Sequence, residues 1–185
     1  MNNTIRASAS SEPAGQPALA TQLAGKYMVF KLAEQEHALQ ILKVRELIGL
    51  LPITRLPASP PSVRGIINLR GRVIPVMDLR LRFGMPPATV SDQSVIIVVQ
   101  YHQDERELTM GLLVDEAVEV LNIAAAQIEP PPDFGHDDTS TDFILGIGKT
   151  ETRVICLLDV DKVLSSTRLA PVQEAAEATN ANGDG

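Results

Sequence analysis

Residues 62–84 constrain the fold of this chain more than any other stretch. They read Ser-Val-Arg-Gly-Ile-Ile-Asn-Leu-Arg-Gly-Arg-Val-Ile-Pro-Val-Met-Asp-Leu-Arg-Leu-Arg-Phe-Gly. Gly65 and Gly71 bracket Ile66-Ile67-Asn68-Leu69-Arg70. Glycine at such positions permits positive φ or close backbone approach, as the tight turns of small barrels require. The run 73–77 that follows is almost wholly apolar, rich in β-branched residues and too short to show a helical period, so it predicts a buried strand. The stretch holds no plausible catalytic nucleophile, acid–base pair or metal site. It is built for shape and for a protein partner.

The same texture recurs along the chain. Residues 27–32 and 37–42 flank a polar turn, 95–99 is another apolar run, and 143–148 and 154–158 flank the turn 149–153. Leu108, Met110, Leu112 and Val114 alternate with Thr109, Gly111 and Leu113, as in a strand with one better-buried face. Pro52, Pro57, Pro60 and Pro61 break the segment before the arginine-rich run, and Pro130-Pro131-Pro132 stop the one after Ile128. Helix is scarce: Asp159 is placed to cap 160–165, with Val160, Val163 and Leu164 on one face, and a helical turn fits 78–83. Many short strands with little helix predict an all-β fold of small barrels rather than a βαβ array. Residues 1–24 and 168–185 are small and polar and are expected to be flexible tails, the second with a transient Ala-Glu-rich helix, leaving 25–167 as the folded domain.

Composition removes several classes of function. A formal net charge of −7 and a pI near 4.9 argue against nucleic-acid binding and against attraction to anionic lipid. The single Cys156 excludes an internal disulfide framework and, within the apolar run 154–158, reads as a buried hydrophobe. No stretch approaches the ~18 consecutive apolar residues that span a bilayer, and the start of the chain lacks a basic then apolar leader pattern. A cytoplasmic protein without membrane insertion is expected.

Motifs that look like chemistry resolve into plainer readings. Gly146-Ile147-Gly148-Lys149-Thr150 ends like a phosphate-binding loop, but Phe143 occupies the position of the required upstream glycine and a strand follows instead of a helix. His37, His102 and His136 lack ligand spacing, and the acidic segment 133–142 lacks the alternating oxygen ligands of a calcium loop. Asp115, Glu116 and Glu119 flank a strand pattern, with no apolar pocket to separate their pKa values. No Gly-x-Ser-x-Gly elbow is present. No enzyme, cofactor or metal site is expected; a stand-alone ligand-binding or catalytic barrel would need a deep pocket with convergent polar groups.

Residues 62–84 carry Arg64, Arg70, Arg72, Arg80 and Arg82 against Asp78, a local charge of five minus one, or +4. Arg64, Arg72 and Arg82 read as a solvated basic face. Arg70, between Leu69 and Gly71, suits a bidentate carboxylate contact, either within the fold or across an interface. Asn68 offers a donor and an acceptor to a turn.

Four segments in order and spacing resemble the CheW coupling-protein family of bacterial chemotaxis: 64–71 with 73–79, 27–30 through 41–46, 111–115 through 119–121, and 155–164. Together they span about 25–167. The resemblance implies two five-stranded SH3-like β-barrels packed through a shared hydrophobic core, and no enzyme activity. It implies a single module, without an added receiver or kinase domain, that bridges the cytoplasmic tips of chemoreceptors to the regulatory domain of the histidine kinase CheA. That domain is itself of the same family, so docking would be barrel to barrel. Recruitment to membrane-associated receptor arrays follows, with self-association only within arrays. Val44 and Glu46 match the kinase-facing edge, Arg70 with Asn68 and Gly65 matches the site coupling receptor and kinase, and Val114 and Val118 are the candidates for lining an apolar receptor groove between the barrels. A non-motility chemosensory pathway (pili, biofilm or development) is the alternative output. Three features depart from the family pattern: a long charged turn at 101–107, an extra acid within Asp115-Glu116-Ala117, and the acidic segment 133–142.

Overall fold

The structure is a computed structural model that describes residues 16–132, 141–165 and 169–182. The chain runs through α1 (Gln16–Leu23), β1 (Gly25–Leu32), β2 (Gln35–Gln40), a 3-10 turn (Ile41–Lys43), β3 (Val44–Gly49), β4 (Val63–Leu69), β5 (Arg72–Asp78) and α2 (Leu79–Arg82). It continues through β6 (Val95–Gln103), β7 (Arg106–Val114), β8 (Glu116–Ile123), a second 3-10 turn (Ala125–Gln127), β9 (Ile128–Glu129), β10 (Ile144–Lys149), β11 (Val154–Leu158), α3 (Val160–Ser165) and α4 (Ala170–Asn182).

The fold is mainly β, in two sheets with strand orders β8-β1-β2-β11-β10-β9 and β3-β6-β7-β5-β4. The expected five-plus-five arrangement becomes six plus five because the two-residue β9 adds to β10. The five-stranded sheet is one continuous segment, β3 to β7, inserted between β2 and β8. Among the described residues the strands therefore pass from one sheet to the other twice: at Ile41–Lys43, and at Asp115 alone.

This layout explains the apolar runs. Strands at the centre are buried on both faces, so they lose the polar alternation of a half-exposed strand. Along β6, Ile96 and Val98 face a cluster private to the five-stranded sheet, while Ile97, Val99 and Tyr101 face the core shared by both sheets. Along β1, Tyr27 and Val29 face the private cluster of the six-stranded sheet, while Met28, Phe30 and Leu32 enter the shared core.

Several expectations are modified. The segment 37–42 is strand only to Gln40 before the 3-10 turn, and the strand β3 has too little apolar run to be read from sequence. The turn at 101–107 is tight: strand pairing continues to Gln103↔Arg106, and Asp104 and Glu105 adopt positive φ values of 49° and 64°. Asp159 caps α3 as expected, its carboxylate accepting from the Lys162 N–H at 3.2 Å. The two ends are not plain tails. α1 carries the buried Leu23, and α4 and the preceding Leu169 are packed, with Leu169, Val172, Gln173 and Ala176 buried. Residues 1–15 lie outside the described residues, as does most of the acidic segment (133–140) with His136.

Candidate protein-docking site

The β4–β5 hairpin closes with Leu69 paired to Arg72, leaving Arg70 and Gly71 as a two-residue turn with φ of 52° and 86°. Two consecutive positive-φ residues make the mirror-image turn that matches strand twist. Asn68 stabilises it, its Oδ1 accepting the Gly71 N–H at 2.8 Å. The guanidinium of Arg70 then reaches β3: its Nη1 and Nη2 donate to the two carboxylate oxygens of Glu46 at 3.0 and 2.7 Å. Arg70 thus has a carboxylate partner within the fold.

Glu46 is aimed by a β-bulge. Val44 pairs with Val99 but Glu46 with Val98, so the register shifts between them and the strand is re-aimed. Because β3 and β4 are the two edges of the five-stranded sheet, the Arg70–Glu46 pair joins its opposite ends. Gly65 serves the same closure from the other side. Thr54 exchanges two main-chain hydrogen bonds of 2.8 Å with Ile66, and a Cβ on Gly65 would stand 2.1 Å from the Thr54 carbonyl oxygen. Arg70 remains 74% exposed while Glu46 is 30% exposed, and the Glu46 hydrogen bonds and charge raise the Arg70 pKa further above its already high value. Val44 is half-buried against the shared core, whereas Leu42 on the preceding 3-10 turn is 93% exposed. The site is thus an open, charged and apolar edge rather than a pocket.

The other arginines are more structured than a solvated face. The Nε of Arg64 donates to buried Asp78 at 3.0 Å, and Asp78 also caps α2 through the Arg80 and Leu81 N–H groups. Arg82 donates to the Val163 carbonyl at 2.9 Å and lies 5.8 Å from the Phe143 ring centroid. Arg80 holds Asp115 through Nε and Nη2. Arg72 is exposed, as read from sequence.

Val114 is 2% exposed and packs into the shared core, because β7 is buried on both faces, so its side chain is interior in this structure. Val118, on β8, packs against the private cluster of the six-stranded sheet. An open groove does exist beside α2, lined among others by Ile53, Arg55, Val63, Arg64, Leu81 and Val90. Sequence reasoning missed it because its walls come from segments far apart in the chain.

The phosphate-loop lookalike is a strand and hairpin: Gly146 and Gly148 lie on β10, where a Cβ on Gly146 would stand 2.8 Å from the Glu129 carbonyl oxygen, and Lys149 pairs with Glu129 at 2.6 Å. Partial burial pushes the Cys156 thiol up to about 11, which disfavours the thiolate near neutral pH. Among the described residues no group of three His, Cys, Asp or Glu side chains is placed to hold a metal ion, and no helix is long and apolar enough to cross a membrane.

Comparison with known proteins agrees with this architecture. A sequence profile described as the CheW-like domain matches residues 26–168. The chemotaxis protein CheW of Klebsiella aerogenes is 32% identical over 166 residues, covering 87% of this chain and 97% of that protein. The probable chemotaxis protein CheW of Rhizobium etli is 38% identical over 140 residues, covering 76% and 87%. Among solved structures, the scaffolding protein CheW of Thermoanaerobacter tengcongensis is 38% identical with a TM-score of 0.66, covering 76% of this chain and 92% of that one.

Proposed function

The chain belongs to the CheW-like domain family as a non-catalytic scaffold protein of chemotaxis, and on that premise we propose that it couples the cytoplasmic tips of chemoreceptors to the regulatory domain of a CheA-type histidine kinase. The observation that carries this reading is the Arg70–Glu46 pair. A bidentate guanidinium–carboxylate fork is geometrically specific, yet at this exposure it adds little to stability. Such a pair is better suited to presenting an oriented charge to a partner than to holding the fold together.

In this reading the β3 edge, with Val44 and Glu46, faces the kinase domain, and the β4–β5 hairpin, with Arg70 shaped by Asn68 and Gly65, links kinase contact to receptor contact. Leu42 supplies an exposed apolar anchor beside them, the kind of residue that desolvates at an interface centre. Localisation at receptor arrays in the cytoplasm follows from the partners. The mechanism is mechanical. One protein held at two interfaces in a fixed geometry lets receptor state bias kinase activity as a coupling free energy between sites.

Binding of a CheA regulatory domain, measured by calorimetry for Glu46→Ala, Arg70→Ala and the swapped pair Glu46→Arg/Arg70→Glu, tests the proposal. Both single variants should bind weakly while retaining the wild-type melting temperature. The swap restores the internal pair but inverts the presented charges, so it should not restore binding. Unchanged binding in both single variants would overturn the proposal.

A further inference from the structure

Among the described residues the strands pass from one sheet to the other at Ile41–Lys43 and at Asp115. These two linkers act on the angle between sheets together with the shared core, the Arg82–Val163 bond and α4 docked on β5. Apolar packing is non-directional. Hydrogen-bonded charge pairs are directional, and each crossing carries one.

At the first crossing Lys43 donates to Asp161 at 2.7 Å. Asp161 lies on α3, directly after the last strand of the six-stranded sheet, and its other oxygen accepts the His102 N–H from β6 of the five-stranded sheet at 2.8 Å. At the second crossing Asp115 is the single residue between β7 and β8. Its carboxylate accepts the Ala33 N–H at 2.5 Å, from the β1–β2 turn of the six-stranded sheet, where Ala33 is held at φ 54°. The same carboxylate accepts from Arg80 at 2.9 and 2.8 Å through Nε and at 2.5 Å through Nη2, and Arg80 lies on α2, directly after β5 of the five-stranded sheet. The Asp115 N–H in turn donates to the Lys31 carbonyl at 3.1 Å. Each aspartate thus binds one main-chain N–H and one cation, and each ties the two sheets together. Both are only partly exposed, at 27% for Asp115 and 33% for Asp161.

We infer that Asp115 and Asp161 are two polar pins, one at each crossing, that fix the orientation of the five-stranded sheet relative to the six-stranded one. The pins are positioning residues. Their consequence for signalling rests on the coupling function proposed above: a scaffold whose sheets swivel would still bind each partner but would transmit less of the receptor's state.

The test places spin labels at Val154→Cys on β11 and Arg72→Cys on β5 in the full chain with Cys156→Ser, and reads the distance distribution by pulsed EPR without kinase or receptor. Asp115→Asn and Asp161→Asn should each broaden the distribution, and the double variant should be broader than either single variant, as expected when two separate constraints on a hinge are released. Glu116→Ala is the control, because Glu116 pairs with Lys31 at 3.3 Å within the six-stranded sheet only and should leave the width unchanged. If Asp115→Asn melts too low to label, Arg80→Lys and Asp161→Asn carry the comparison. Widths equal to the parent in the pin variants, or equal broadening in Glu116→Ala, would overturn the inference. In reconstituted arrays the pin variants should lose kinase stimulation with little loss of kinase affinity. Because the EPR readout contains no partner, failure of the coupling function and failure of the pins are separable.

Discussion

At Gly65 one hydrogen atom decides whether the edge of β4 can be covered. A Cβ there would overlap the Thr54 carbonyl, and φ of 142° is itself unfavourable for a side chain. Gly65→Ala should therefore cost roughly 2–4 kcal/mol, from overpacking and strained backbone together. Gly71, at φ 86° with open space around its would-be Cβ, should cost only about 1–2 kcal/mol when changed to Ala. Urea midpoints at constant slope measure both, and equal losses would contradict the assigned contact. Sequence singled out both glycines from their bracketing of residues 66–70, but not their different reasons. The turn at Arg70–Gly71 is local, whereas the partner of Gly65 lies on a loop that only the tertiary fold brings near. Arg70 teaches the same lesson. Its suitability for a carboxylate was legible, and the identity of that carboxylate as Glu46 was not, because the β3 bulge that aims it leaves no mark in composition.

Among the elements, α4 departs most from expectation. Its sequence is Ala-rich and short, and such helices are marginal in isolation, which is why residues 168–185 read as a tail. Beside its buried apolar residues Val172 and Ala176, three polar contacts hold it. Gln173 donates to the Tyr101 hydroxyl at 2.8 Å inside the protein, Glu177 pairs with Arg106 at 2.7 Å, and the Asn180 amide accepts the Val73 N–H at 2.6 Å while donating to the Val73 carbonyl at 3.0 Å. Asn180 thus does for β5 what a neighbouring strand would do, since the β5–β7 ladder begins only at Val76. Tyr101→Phe should destabilise by about 1–3 kcal/mol because it strands the buried Gln173 amide. Asn180→Asp keeps the acceptor and loses the donor, and should cost about 1 kcal/mol. Hydrogen exchange at Val73 checks the docking directly: its amide should stay protected in Asn180→Asp and lose protection in Asn180→Ala. Unchanged protection in both would mean α4 is not held there.

Across the whole molecule, the two sheets share one core and a chain of rings. His37 on β2 lies 5.9 Å from Phe30 on β1 and 5.9 Å from Phe83 at the end of α2, and Phe83 lies 4.9 Å from Phe143. Burial lowers the His37 pKa below its usual 6.5, opposed by a hydrogen bond to the Gln35 backbone. The unfolded chain therefore takes up this proton first as pH falls. The stability contribution of neutral His37 is complete above pH 6.5 and is lost as pH drops through the lower folded-state value. Unfolding free energies measured between about pH 7.5 and 5.5 should fall more for the parent than for His37→Phe; parallel curves would remove His37 from the acid sensitivity. The sequence by itself determined the mainly β character, a glycine-permitted turn near Gly71 and the cap at Asp159. Each of these depends on residues within a few positions of one another. The resemblance carried by four local motifs supplied the family. Tertiary structure alone decided that Val114 is interior, that α4 is docked, that Glu46 meets Arg70, and that Asp115 and Asp161 stand at the two crossings between sheets. Those contacts join residues far apart in the chain, and their geometry exists only once the five-stranded segment has folded as an insertion into the other sheet.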